Sequence, residues 1–253
     1  MIKIGPAGIG GIKEIETNFE FLNKNNIKAA EIAFTYGIYI KKEQATKIKQ
    51  LAQKFNISLS IHAPYYINLN SKDKLEASKK RILDSCEIGN SLGVKNIVFH
   101  AGFYGKDSKE ETYKFIKEQI IELQKIIKEN NWDVLLTPET TGKINVFGSL
   151  DEILRLVQET NCSFCIDFAH LKAREQENYN IKEIVNKIKH FKHLHCHFSG
   201  INYTEKGERN HIPIDIQEFK EILDELKKNN LDCTIICEAP DTYNDAIKMQ
   251  KEI

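Results

Sequence analysis

Residues 96–102 read NIVFHAG: an apolar run, Ile97 to Phe99, closed by His100 and two small residues. A strand buried on both faces, as in a parallel sheet covered by helices, has this continuous apolar character instead of an apolar/polar alternation. The same unit recurs along the chain, with strand candidates at Ile2–Gly5, Ala29–Ala33, Ser58–His62, Asn96–His100, Val134–Glu139, Phe164–Asp167, His193–His197 and Thr234–Glu238. Between them lie amphipathic stretches, such as Ser71–Leu92 and Glu110–Glu129, and Gly93 fits a helix C-terminus.

Eight β-α units in 253 residues, with no linker or low-complexity tract, predict one domain over residues 1–253. The expected fold is α/β, a single closed (β/α)8 barrel with its active site at the C-terminal rim; an open doubly wound sheet is the runner-up. The glycines of GPAGIGG after the first strand do not fit a dinucleotide-binding GxGxxG turn. All five prolines fall within two residues of a strand end or a candidate ligand, where a missing backbone donor is tolerated.

Composition narrows the function classes. Lysine plus arginine equals aspartate plus glutamate at 36 each, so no global field draws in a polyanion, and any attraction to nucleic acid must be local. No apolar run approaches the roughly 20 residues that span a bilayer, and MIKIG reads as a strand, so no membrane contact and a cytoplasmic location are expected. The six cysteines mostly sit in apolar strand patterns, and the lone CxxC of Cys162 and Cys165 reads as core packing.

Five of the eight histidines stand where a strand candidate gives way to its loop: His62, His100, His170, His197 and His211. Glu139, Asp167, His197 and Glu238 end four consecutive strands, and three carboxylates gathered there would repel one another unless a divalent cation lies among them. His62 and His100 end the third and fourth strands and, with Glu139 bridging, can hold a second ion. His170 and His211 would complete a third position bridged by Asp167, or could instead hold a substrate phosphate or sugar hydroxyl. His193 and His195 share a strand side with His197 and read as interior groups, and His190 as a helix-end residue. Aromatic and basic loop residues, among them Tyr36, Tyr65, Tyr66, Lys172, Arg174, Tyr203 and Arg209, suit a nucleic-acid groove.

Through HAPYYINL, FHAG, PETTG, CIDFAH, HFSG and CEAP, in that order over nearly the whole chain, the sequence resembles the endonuclease IV family of apurinic/apyrimidinic endonucleases, and more broadly the xylose-isomerase-like barrels. The resemblance implies a TIM barrel carrying a zinc cluster that hydrolyses the DNA backbone 5′ of an abasic site, in base excision repair. It places Glu139, Asp167, His197 and Glu238 around one zinc, with Glu139 shared with the zinc of His62 and His100, and His170 and His211 on a third. Glu139, Asp167 and Glu238 are the implied catalytic residues, Asp167 helping to place the nucleophile. Tyr65 matches a tyrosine beside the abasic nucleotide, with Tyr36, Lys172 and Arg209 as further contacts to double-stranded DNA, and a monomer is expected.

Two departures stand out. Where the family has an Asp-Arg-His run, this chain has Glu208, Arg209, Asn210 and His211, so Glu208 is the candidate third-site carboxylate and the ion count is two or three. The loop FTYGIYIKK lacks the arginine that bacterial members insert into the duplex. The rival class is a single-metal sugar isomerase or epimerase, similar at Glu139, Asp167, His197 and Glu238, for which His62 and His100 would be superfluous.

Overall fold

The computed structural model describes all 253 residues. There are ten strands, β1 (Ile2–Pro6), β2 (Ala29–Ala33), β3 (Ser58–His62), β4 (Asn96–Phe99), β5 (Leu135–Pro138), β6 (Cys165–Asp167), β7 (Leu194–Phe198), β8 (Gly200–Thr204), β9 (Gly207–Ile212) and β10 (Cys233–Cys237), with helices between all successive pairs except β7, β8 and β9. Eight of them pair in parallel as two half-barrels, β2-β3-β4-β5 and β6-β7-β10-β1.

Two seams join the halves. Ala7 bridges Glu31 in parallel, and the Gly8 amide donates to the Glu31 carbonyl at 2.7 Å. On the other side Glu139 bridges Cys165, and the Thr140 amide donates to the Cys165 carbonyl at 3.1 Å. With no free edge left, the sheet is the closed barrel and not the open doubly wound alternative.

Outside the strands lie α1 (Ile15–Lys24), α2 (Lys42–Lys54), α3 (Leu75–Leu92), α4 (Lys109–Glu129), α5 (Leu150–Thr160), α6 (Phe168–Glu175), α7 (Ile181–Ile188), α8 (Ile216–Lys228) and α9 (Thr242–Gln250). Ser108 and Ser149 start α4 and α5 with capping boxes, accepting from the amides of Glu111 and Glu152 while those glutamates reach back. Gly93, at φ 72°, ends α3. Residues 71–74, expected to open that helix, form turns instead, with the Ser71 amide bonded to the Asn68 carbonyl and the Lys74 amide to that of Ser71. A core of 61 buried apolar residues fills the space around the barrel wall.

The strand ends differ slightly from expectation. Glu139 and Glu238 each lie one residue beyond their strands, on the rim itself. The larger difference is the antiparallel hairpin β8–β9, where the sequence predicts loop. Its residues are largely polar and exposed, so it lacks the apolar run by which the barrel strands were recognised. The hairpin docks on the loop after β5: Lys143 bridges Gly207, and the Glu208 amide donates to the Gly142 carbonyl at 3.1 Å. That docking carries Glu208 and His211 over the rim.

Candidate metal centre

Glu139 is the pivot of the rim, and its side chain is wholly buried. One carboxylate oxygen, Oε2, lies 3.2 Å from His62 Nε2 and 3.1 Å from His100 Nε2. The other, Oε1, lies 3.1 Å from His170 Nδ1 and 3.3 Å from His197 Nδ1. Three strand ends, of β3, β4 and β7, and the first turn of α6 thus present imidazoles to a single carboxylate.

Local structure aims each group. His62 Nδ1 is bonded to the Ala63 carbonyl at 2.8 Å, which leaves Nε2 facing the rim. Asp167 is the N-cap of α6: its Oδ1 accepts from the His170 amide at 2.8 Å, as a cap three residues before its partner does. The spacing of CIDFAH therefore has a mechanical origin, since capping holds Asp167 Oδ2 within 3.2 Å of His170 Nδ1. Glu238 Oε1 approaches His197 Nδ1 at 3.5 Å, Glu208 Oε2 approaches His170 Nε2 at 3.5 Å, and Ser199 Oγ holds His211 Nδ1 at 2.5 Å. Gly142 is required for the approach of Glu208 to His170, because a Cβ there would stand 2.6 Å from that of Glu208 and 3.2 Å from the His170 ring.

Three groups of donor atoms result, each within 4.8 Å: His62, His100 and Glu139; Glu139, Asp167, His197 and Glu238; and Asp167, His170 and His211. Glu139 and Asp167 belong to two groups each. Two donors, His100 Nε2 and Asp167 Oδ2, are buried without a hydrogen-bond partner, although His100 Nε2 is 3.1 Å from Glu139. Polar atoms so placed converge beside one another instead of on one another, as ligands around a shared point do, and imidazole with carboxylate suits a divalent transition ion. The residues fit a metal cluster.

Charge at the rim reads the same way. Burial works against the charged imidazole of His62, yet its bond to Glu139 pushes it up to about 9. Burial likewise opposes ionisation of Glu139 and Glu238, but His100 and His197 hold the former well below the usual carboxylate range and His197 holds the latter down to about 2. Asp167 goes the other way, raised chiefly by burial and by its acidic neighbours Glu139 and Glu238 against the pull of His170. Protons thus occupy in part the positions that cations would take.

Among the expected DNA contacts, Tyr65 stands at the rim with its ring 5.8 Å from His62 and is 58% exposed. Tyr36 is 79% exposed, 6.4 Å from Tyr66. Arg209 is exposed on β9. Lys172 is not on a loop: it belongs to α6 and is paired with Glu218 at 2.7 Å. Arg174, also on α6, clamps the loop after β5 through the carbonyls of Thr141, Lys143 and Val146. All six cysteines are free and buried. Glu31, Ser60 and Ser199 were not foreseen; a charged residue inside the otherwise apolar AAEIA of β2 was the available signal for the first.

A closed parallel barrel with clustered histidines and carboxylates at the C-terminal ends of its strands defines a class of metal-binding α/β barrels. A family model described as xylose isomerase-like TIM barrel matches residues 19–253, and the chain belongs to that family. An uncharacterized protein of Methanocaldococcus jannaschii is 39% identical, over 99% of this chain and 96% of that one. A probable endonuclease 4 of Mesomycoplasma hyopneumoniae is 31% identical, but the match spans about half of each chain, 51% and 47%. Among solved structures, endonuclease IV from Thermus thermophilus superposes with a TM-score of 0.71 at 18% identity, covering 99% of this chain and 97% of that one. D-psicose 3-epimerase from Clostridium cellulolyticum superposes with 0.70 at 16% identity, covering 99% and 95%. At such identities the two superpositions speak for the fold alone. No helix is long and apolar enough to cross a membrane.

Proposed function

We propose that this chain is a zinc-dependent apurinic/apyrimidinic endonuclease, acting as a monomer on double-stranded DNA and cutting the phosphodiester 5′ of an abasic site. The observation that carries the reading is the placement of His62 and His100 on Glu139 Oε2, opposite the quartet of Glu139, Asp167, His197 and Glu238. A single-metal sugar epimerase would use the quartet and leave those two imidazoles without a task.

Zinc ions held by these groups would supply charge to stabilise an attacked phosphodiester and its leaving oxygen. The protein's own contribution is orientation. Glu139 and Asp167 link neighbouring positions, while Asp167 Oδ2, free of any hydrogen bond, is placed to orient an attacking water and accept its proton. Tyr65, beside His62 and open to solvent, offers a face on which the flipped-out deoxyribose or a neighbouring base can rest, and Tyr36 and Tyr66 extend that face. Arg209 on the hairpin supplies a phosphate contact; Lys172, committed to Glu218, does so only if that pair opens.

The test is metal content of the natively purified protein, paired with nicking of a duplex that carries one abasic analogue. Two or three zinc ions per chain with nicking are expected. His100→Ala should abolish nicking and leave the fold intact. One metal per chain with ketose epimerisation and no nicking would overturn the reading in favour of the epimerase.

A further inference from the structure

Beneath the quartet, a second polar group crosses the barrel interior, and nothing in the proposed reaction uses it. Glu31 on β2 has no exposed surface. Its Oε2 accepts from Ser60 Oγ at 2.7 Å and pairs with His195 Nε2 at 2.9 Å. Its Oε1 lies 3.0 Å from His197 Nε2 in a bent contact, and neither of those atoms has another partner. The interior of a parallel barrel is ordinarily filled by valine, isoleucine and leucine. A dry carboxylate there is costly unless its neighbours compensate it, so its presence calls for a reason.

The reason lies in the two nitrogens of His197. Nε2 faces Glu31, while Nδ1 faces the rim, 3.3 Å from Glu139 Oε1 and 3.5 Å from Glu238 Oε1. A carboxylate behind one ring nitrogen keeps the proton on that atom, fixes the ring's orientation and makes the opposite nitrogen a better donor to a metal. We propose that Glu31 is a positioning residue that holds His197 with Nε2 turned inward, so that Nδ1 is presented to a cation among Glu139, Asp167 and Glu238, with Ser60 and His195 securing Glu31 in turn. The inference rests on the metal reading of the rim and is indifferent to which reaction the rim performs.

One other occupant of the interior fits part of the geometry. Cys165, His195 and His197 have donor atoms within 4.8 Å of one another, the spacing of an interior cation site. Against it, His195 Nε2 is already engaged with Glu31 at 2.9 Å, and Glu31 Oε2 is satisfied by His195 and Ser60 together.

The experiment compares wild type, Glu31→Gln and Cys165→Ala by zinc stoichiometry, zinc affinity against a competing chelator, and unfolding of the metal-free proteins. Glu31→Gln is expected to weaken one zinc site about 10- to 100-fold, the usual effect of losing an outer-shell partner. Its metal-free form is expected to lose some stability as well, because His195 and His197 are left without their charged partner, so the zinc affinity of the folded variant is the deciding readout. Cys165→Ala should bind zinc as wild type does. Equal affinity in Glu31→Gln overturns the proposal, as does a loss of metal-free stability with affinity unchanged, which would mark Glu31 as structural. Loss of one whole zinc in Cys165→Ala overturns it in favour of the interior cation. Wild type that takes up no metal sinks the metal centre and this proposal together, which separates that failure from the others.

Discussion

At the scale of single residues, Glu139 decides how many positions the rim can hold, since both of its oxygens are shared among four imidazoles. Glu139→Gln removes the charge and one acceptor while keeping the shape. It is expected to lower metal affinity and nicking by at least about 100-fold, because a first ligand should matter no less than an outer-shell partner; metal analysis and the abasic-duplex assay together check this. Glu139, Asp167 and Glu238 were legible because each closes an apolar run, and a carboxylate at the end of a buried strand is conspicuous. Glu31 was not, because it sits inside such a run, and only the rings of His195 and His197 meeting it from β7 make it conspicuous. Lys172 shows the opposite limit: sequence gives its charge, but not the Glu218 carboxylate that occupies it.

At the scale of elements, the hairpin β8–β9 is what builds the third position. Gly207 opens β9 at φ 92°, and a Cβ there would collide with the Gly142 carbonyl. Gly207→Ala therefore combines a strained backbone, costing roughly 1–3 kcal/mol, with displacement of Glu208 and His211. The expected result is loss of the third ion alone, seen as one zinc fewer per chain with the His62, His100 and Glu139 position still filled. The barrel strands were readable because burial on both faces imposes a continuous apolar signature. The hairpin obeys no such constraint: its pairing is fixed by docking to residues 142–144, more than sixty positions away in sequence.

At the scale of the whole molecule, the metal-free rim couples protonation to folding. His62 is raised from about 6.5 in the unfolded chain to about 9 in the fold. Its contribution is complete below about pH 6.5 and disappears as pH climbs through 9, at most about 3 kcal/mol for this group. Asp167, also raised, acts in the same direction. Glu139 and Glu238, both lowered, lose their contribution only as pH falls toward their depressed values. Chelator-treated protein should thus melt at a lower temperature at pH 9 than at pH 6.5. Adding zinc should raise the midpoint most at the alkaline end, where protons no longer compete for the imidazoles. Thermal unfolding at the two pH values, with and without metal, checks both statements.

The two seams of the barrel add a mechanical meaning to this arrangement. His62 and His100 hang from one half of the cylinder, whereas Asp167, His197 and Glu238 hang from the other, and the residues that stitch the halves together are Glu31 and Glu139 themselves. An ion held by the quartet, which draws Glu139 from one half and Asp167, His197 and Glu238 from the other, would therefore also be a rivet through the joint. Loading such a site would tighten the seam between the staves as well as fill the rim.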